Sequence, residues 1–233
     1  PRRLVAACQR QGLKRFLHMS ALGADEHGPS MYQRSKAAGE KIMRAATGLE
    51  LTSFRPSVVF GPEDHFLNMF AQLQSLLPVL ALGGVETKFQ PVFVGDVAEA
   101  VAASLAGRAR AGATYELGGP DVKSFGALVE YVLAVTERDR HVMKLGFGAG
   151  KIVASIMQLL TSLSMGLFPK ILRMTTDQVE LLKHDNVVSD AAKAEGRTFE
   201  GLGVTPQAIE AIAPSYLYRY RKTGQYQSQR LSI

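Results

Sequence analysis

One cysteine in 233 residues, Cys8, set within an apolar helical pattern, excludes a disulfide framework and any cysteine-based zinc site. It points to a reducing compartment. The five histidines, at positions 18, 27, 65, 141 and 184, show neither His-x-x-x-His nor Glu-x-x-His spacing, so no helix face aims two ligands at a metal and none is assigned. No basic segment leading into an apolar core and cleavage site follows the opening Pro1-Arg2-Arg3, and no signal peptide is read. Acidic residues are missing from Tyr216 to Arg230, where Tyr-Leu-Tyr-Arg-Tyr-Arg-Lys interleaves rings and cations. Such a segment suits single-stranded nucleic acid or a membrane surface, but a helix end with a solvated tail is the plainer reading, and nucleic acid is set aside as a partner. The net charge of +6 otherwise fits an ordinary globular chain, 46% hydrophobic and 21% charged.

Helices and strands alternate along the chain, which predicts an α/β fold. A first helix ends at Gly12, and a strand runs from Lys14 to Ser20. A long helix over Ser35–Ala46 follows the Gly28-Pro29-Ser30 turn, then a strand at Leu51–Arg55 broken by Pro56, with Val58–Pro62 extended. Strand, helix, strand favours a right-handed parallel crossover. Further on come a helix over Phe66–Leu77, a strand at Phe89–Val94, a helix opened by an Asp96…Glu99 capping box, a strand at Thr114–Leu117, a helix over Phe125–Val135 and a short strand near Met143–Phe147. Gly146 to Ile152 has a lysine after glycine but no Ser or Thr next, and reads as a strand-to-helix turn rather than a phosphate loop.

Tyr32 and Lys36 lie four residues apart on one helix face, twelve residues beyond the first strand. An ammonium beside a phenol favours the phenolate, so the pair could exchange a proton with a substrate hydroxyl or carbonyl while a nicotinamide exchanges hydride. Spacing alone is weak, since Tyr218 and Lys222 repeat it; the flanking strands and the Gly-Pro-Ser loop single out the first pair.

Arg15 to Ala24, Tyr32 to Glu40 and Arg55 to Asp64 together resemble the extended and atypical short-chain dehydrogenase/reductases, the NAD-dependent epimerase/dehydratase type. Phe66-Leu67-Asn68, Gln90 to Ala98 and Pro214 to Gln225 are similar to the nucleotide-binding accessory subunit of respiratory complex I and its bacterial relatives. The resemblance implies the C-terminal part of a Rossmann-like parallel sheet domain, residues 1–75, interleaved with a smaller, mainly helical substrate domain, residues 76–215, which includes return segments to the Rossmann domain, before a basic aromatic tail, 216–233. It implies that Tyr32 and Lys36 are the active tyrosine and lysine, that Pro56, Ser57, Val58 and Val59 pass the nicotinamide of NADP or NAD, and that complex I subunits and possible membrane contact are the partners. The location it implies is the bacterial cytoplasm, peripheral on the inner membrane, or the equivalent matrix side.

Two departures qualify these roles. The catalytic serine of the resembled family sits in a Ser-Ser pair that here reads Ser20-Ala21, so either Ser20 serves or a hydrogen-bond donor to the substrate carbonyl is gone, a loss of roughly 10²-fold in rate. The Gly-x-x-Gly-x-x-Gly turn that meets the pyrophosphate is not in the sequence. The chain is therefore expected to start in mid-domain, to bind dinucleotide feebly by itself, and to be poorly soluble through an exposed sheet edge. Ile152 to Pro169 carries no charge and sets Ile152, Ile156, Leu159, Leu160, Leu163 and Leu167 on one stripe, read as an amphipathic helix that covers the substrate domain or lies against a membrane or membrane subunit. Two functions stand: a nicotinamide-holding accessory protein, or an active reductase, epimerase or dehydratase using Tyr32 and Lys36.

Overall fold

The computed structural model describes residues 1–163 and 175–222, with side chains excepted at 160–163. In chain order the elements are α1 (Arg2–Arg10), β1 (Arg15–Met19), α2 (Met31–Arg44), β2 (Glu50–Pro56), β3 (Val59–Phe60), α3 (Leu67–Leu76), β4 (Val79–Gly83), β5 (Lys88–Phe89), β6 (Val92–Phe93) and α4 (Val94–Leu105). They continue with β7 (Thr114–Leu117), β8 (Lys123–Ser124), α5 (Phe125–Val135), β9 (His141–Leu145), α6 (Phe147–Leu163), α7 (Thr176–Leu181), α8 (Asp190–Ala194), α9 (Ile209–Ile212) and α10 (Pro214–Leu217). The chain divides into two compact units, each made of three separate segments. The first comprises Pro1–Val59, Gln90–Val122 and Asn186–Ala208; the second Phe60–Phe89, Lys123–Asp185 and Ile209–Ile233. Boundaries at 75/76 and 215/216 do not coincide with this division.

In the first unit β1, β2 and β7 form a parallel sheet in that order, with His18 opposite Ser53 and Phe54 opposite Tyr115. Alternation along a strand sends neighbours to opposite faces. Phe54, Tyr115 and Leu117 face α4 and close a core with Val97, Ala100, Phe199 and Leu202. Fully burying one such large apolar side chain contributes about 1.5–3 kcal/mol. The opposite face, with His18 and Arg55, meets α2. Helix α2 starts four residues earlier than its apolar stripe predicts, because Ser30 and Gln33 form a complete capping box, Ser30 Oγ accepting from the Gln33 amide at 3.0 Å. Helix α4, by contrast, starts at Val94 without a side-chain cap. Asp96 does not cap it: its carboxylate is taken by Gln207, whose amide donates at 2.7 Å and whose side chain donates at 3.2 Å.

In the second unit β4 and β9 pair in parallel and β5 and β8 antiparallel. The predicted strand at Phe89–Val94 is thus two short strands, β5 and β6, split at Gln90-Pro91, as a proline without a donor requires. Phe66, Phe70, Phe89 and Phe125 pack with ring centroids 5.3–6.1 Å apart. Residues 216–220, expected to open a separate tail, are part of this unit. Tyr216 is 6% exposed and Leu217 fully buried. The Tyr216 hydroxyl donates to Asp64 Oδ2 at 2.8 Å, and Arg219 donates to Asn68 Oδ1 at 2.7 Å and to the Pro62 carbonyl at 3.1 Å. Residues 223–233 of the predicted tail, and Leu167, Lys170 and Arg173 of the predicted amphipathic stretch, lie outside the described residues. Gly148 and Gly150 fall within α6, so the Gly146–Ile152 run is the start of a helix.

Candidate functional site

The site lies in the first unit, where β1 and β2 end and α2 begins. Arg34 donates to the Gly28 and Pro29 carbonyls at 2.7 and 2.8 Å, and Gln33 packs against Gly23 and Gly28, so the loop from β1 is bound to the first turn of α2. A Cβ at Gly28 would lie 2.8 Å from Gln33 Cβ, which explains the glycine. That turn carries Tyr32, which is 43% exposed, and one turn on Lys36 holds its ammonium 5.5 Å from the Tyr32 ring centroid.

This geometry differs from the expectation for the phenol. Burial pushes the Tyr32 hydroxyl above its ordinary value, with no lowering from Lys36. The ammonium lies over the ring in cation–π geometry.

Ser20 and Ala21 are both buried. The Ser20 amide donates to the Phe54 carbonyl at 2.7 Å, and its hydroxyl, on the α2 face, lies close enough to Glu40 to help lower that carboxyl but without hydrogen-bond geometry to any described group. Glu40 is two helical turns beyond Tyr32, roughly 12 Å along the axis. Pro56 and Ser57 are buried, Val58 and Val59 half-buried. The Ser57 hydroxyl is engaged by the chain itself: it donates towards Asn186, whose Oδ1 is 2.6 Å away, and accepts from the Gln90 amide at 3.2 Å. Gln90 in turn donates to the Gly119 carbonyl at 2.7 Å and accepts from the Val188 amide at 3.0 Å. A side chain at Gly119 would place Cβ 1.9 Å from the Pro91 carbonyl oxygen, so the turn after β7 is pressed against this loop and tolerates only glycine.

Sequence reasoning missed Glu40 and Arg55 as a pair. Arg55 Nε and Nη2 each donate at 2.8 Å to the two oxygens of Glu40, whose side chain is 4% exposed. Burial alone would push the Glu40 carboxyl up; the Arg55 hydrogen bonds, the Ser20 hydroxyl and the Arg55 and Arg44 charges outweigh it and hold the group below the usual carboxylate value. The signal was available, since Glu40 stands one turn after Lys36, which itself stands one turn after Tyr32. The pair walls an open cleft of about 640 Å³ that Asp25, His27, Lys41 and Arg44 also line.

The profile of the NAD dependent epimerase/dehydratase family matches residues 1–118, from α1 through β7. The chain belongs to this family. Among curated relatives of this family member, NADH dehydrogenase [ubiquinone] 1 alpha subcomplex subunit 9 of Arabidopsis thaliana mitochondria is 34% identical over 224 residues, covering 94% of this chain and 54% of that protein. The Mus musculus protein of the same name is 32% identical, covering 95% and 55%. The chain therefore spans about half the length of these relatives. Its fold is shared with an NADPH-dependent quinone oxidoreductase of Escherichia coli, at a TM-score of 0.69 and 19% identity over 93% of this chain and 72% of that one. The parallel sheet and crossover helices agree with the Rossmann-like architecture read from the sequence.

Proposed function

We propose that this chain is part of a nicotinamide-holding accessory subunit of respiratory complex I, structural or regulatory rather than catalytic. One observation carries the reading: the position after Ser20 is a buried alanine, Ala21, in the same unit as the Tyr32–Lys36 pair. Such a site retains groups for the nicotinamide-ribose end of NADP or NAD and lacks a hydroxyl to hold a reacting carbonyl. Tyr32 and Lys36 fit that end of a dinucleotide, being accessible and mutually placed at the mouths of parallel strands, where dinucleotides bind in such sheets. No glycine-rich turn for the pyrophosphate occurs among these 233 residues. When bound, the cofactor would supply hydride chemistry; Pro56 to Val59 would border it, with Ser57 serving through its backbone because its hydroxyl is committed to Asn186 and Gln90. The likeness in sequence to the mitochondrial NADH dehydrogenase subunits, across nearly the whole chain, supports complex I subunits as partners.

The membrane side of the proposal rests on α6. Ile152, Ile156 and Leu159, spaced to share one face, are 64%, 53% and 58% exposed. Among the described residues no helix is long and apolar enough to cross a membrane, so the contact proposed is peripheral, on the bacterial inner membrane or the matrix side. The second reading, an active reductase, epimerase or dehydratase, is favoured by the retained Tyr32 and Lys36, with Ser20 replacing the serine expected at Ala21. Native purification of the full-length protein from its own membranes tests both. Bound NADP(H) or NAD(H) measured by mass spectrometry together with complex I subunits supports the accessory role. A free protein that exchanges its cofactor and reduces a carbonyl overturns it.

A further inference from the structure

The three chain segments that make up the first unit meet at one half-buried side chain, Asn186. The Ser57 hydroxyl accepts from the Gln90 amide at 3.2 Å, so its single proton is directed at Asn186, whose Oδ1 lies 2.6 Å and whose carbonyl oxygen lies 2.9 Å away. That leaves the side-chain nitrogen of Asn186 to donate, and it meets the Leu22 carbonyl at 3.4 Å, an acceptor that fixes which way round the amide stands. The Asn186 carbonyl accepts in addition from the Gln90 amide at 3.1 Å. Two residues on, Val188 gives its amide to Gln90 Oε1 at 3.0 Å and packs its side chain in a buried cluster with Leu22 and Ala192. Leu22 is thus held at its carbonyl and at its side chain by the same stretch of chain.

The two loops gripped in this way are those on which the nicotinamide reading depends. The Leu22 amide donates to the Pro56 carbonyl and the Ser57 amide to the Leu117 carbonyl, both at 2.9 Å, so the ladder runs just past the ends of the strands. Asn186 then adds a side-chain bridge from one loop to the other. We propose that Asn186 is a positioning residue: by joining Leu22 to Ser57 it sets the spacing between the loop that carries Ser20 and Ala21 and the loop Pro56 to Val59, and so shapes the nicotinamide end of the dinucleotide site. The inference rests on the nicotinamide reading of these loops. Asparagine suits the task because one planar group supplies both an acceptor for the hydroxyl and a donor for the carbonyl; aspartate, of the same shape, supplies acceptors only. A binding constellation keeps its geometry when the groups behind it are locked by hydrogen bonds of their own.

The test uses the full-length protein, titrated with NADPH and NADH and with the same nucleotides lacking nicotinamide, ADP-ribose and its 2′-phosphate. Asn186→Ala should weaken the nicotinamide nucleotide by about 10-fold, the scale of one lost hydrogen bond, and leave the ADP-ribose form unchanged. A merely structural loss lowers both together, and that result, or an unchanged affinity for both, overturns the inference alone. A parent protein that binds none of the four overturns the nicotinamide reading and the inference with it. Hydrogen exchange in the nucleotide-free protein supplies a second measurement. Exchange at the Leu22 and Ser57 amides should rise in Asn186→Ala, whereas Asn186→Asp, which keeps the acceptor for Ser57, should raise it at Leu22 and spare Ser57. Parent-like exchange at both amides in Asn186→Ala overturns the proposal whatever the nucleotide result.

Discussion

Two tyrosines, Tyr32 and Tyr216, each stand beside a charged side chain, and their fates differ. Tyr216 is buried, donates to Asp64, and belongs to a set in which Asp64 also accepts from the Gly61 and Asn68 amides and Arg219 reaches Asn68. Both burial and the Asp64 charge raise its phenol far above the ordinary value, leaving it no acid–base role. Tyr32 stays 43% exposed with a cation over its ring. Tyr216 is thus absorbed by folding, whereas Tyr32 is kept accessible. Burial and a carboxylate partner, not residue type, separate the structural tyrosine from the accessible one.

The comparison can be broken most forcefully beneath Tyr32. Arg55→Ala leaves Glu40 buried without its partner and should cost about 3–5 kcal/mol in chemical denaturation of the full-length protein. If the loss is under ~1 kcal/mol, the pair is not what holds α2 to β2. Tyr216→Phe removes one hydrogen bond to a carboxylate and should cost roughly 1.5–3 kcal/mol, read the same way. An acid titration of stability sharpens the contrast further. His18 has a folded value below its ordinary 6.5, so its contribution is present above that value and lost as pH falls below it; Glu40, held below 4.5, contributes above its ordinary value and loses that contribution as pH falls through its lowered one. Two descending steps are expected, the upper one missing in His18→Gln and the lower one in Glu40→Gln. The smallest effect belongs to Tyr32→Phe, within about 0.5 kcal/mol of the parent in stability. Nucleotide retention should survive that change, and any carbonyl-reductase activity restored by Ala21→Ser should vanish when Tyr32→Phe is added.

The sheet was legible because β1, β2 and β7 carry apolar runs bounded by glycine and proline, and each lies within a residue or two of its predicted place. Helix α2 was misjudged at its start because Ser30 and Gln33 act through side-chain geometry that an apolar stripe does not register. The direction of the Tyr32 phenol's shift was not legible from its spacing to Lys36, since burial of the hydroxyl decides it. The partners of Ser57 and Asp96 come from Asn186 and Gln207, more than a hundred residues away, and no local pattern announces them. Strand β4 and helices α7 to α10 are short and escaped the periodicity on which the reading relied.

The chain passes between its two compact units at five points, after Val59, Phe89, Val122, Asp185 and Ala208. No single cut in the gene can separate them. Neither unit can be lent to another protein by recombination or lost by truncation without dismantling its companion, so a lineage that gave up one role of this protein would have to do so by point substitution within an intact scaffold.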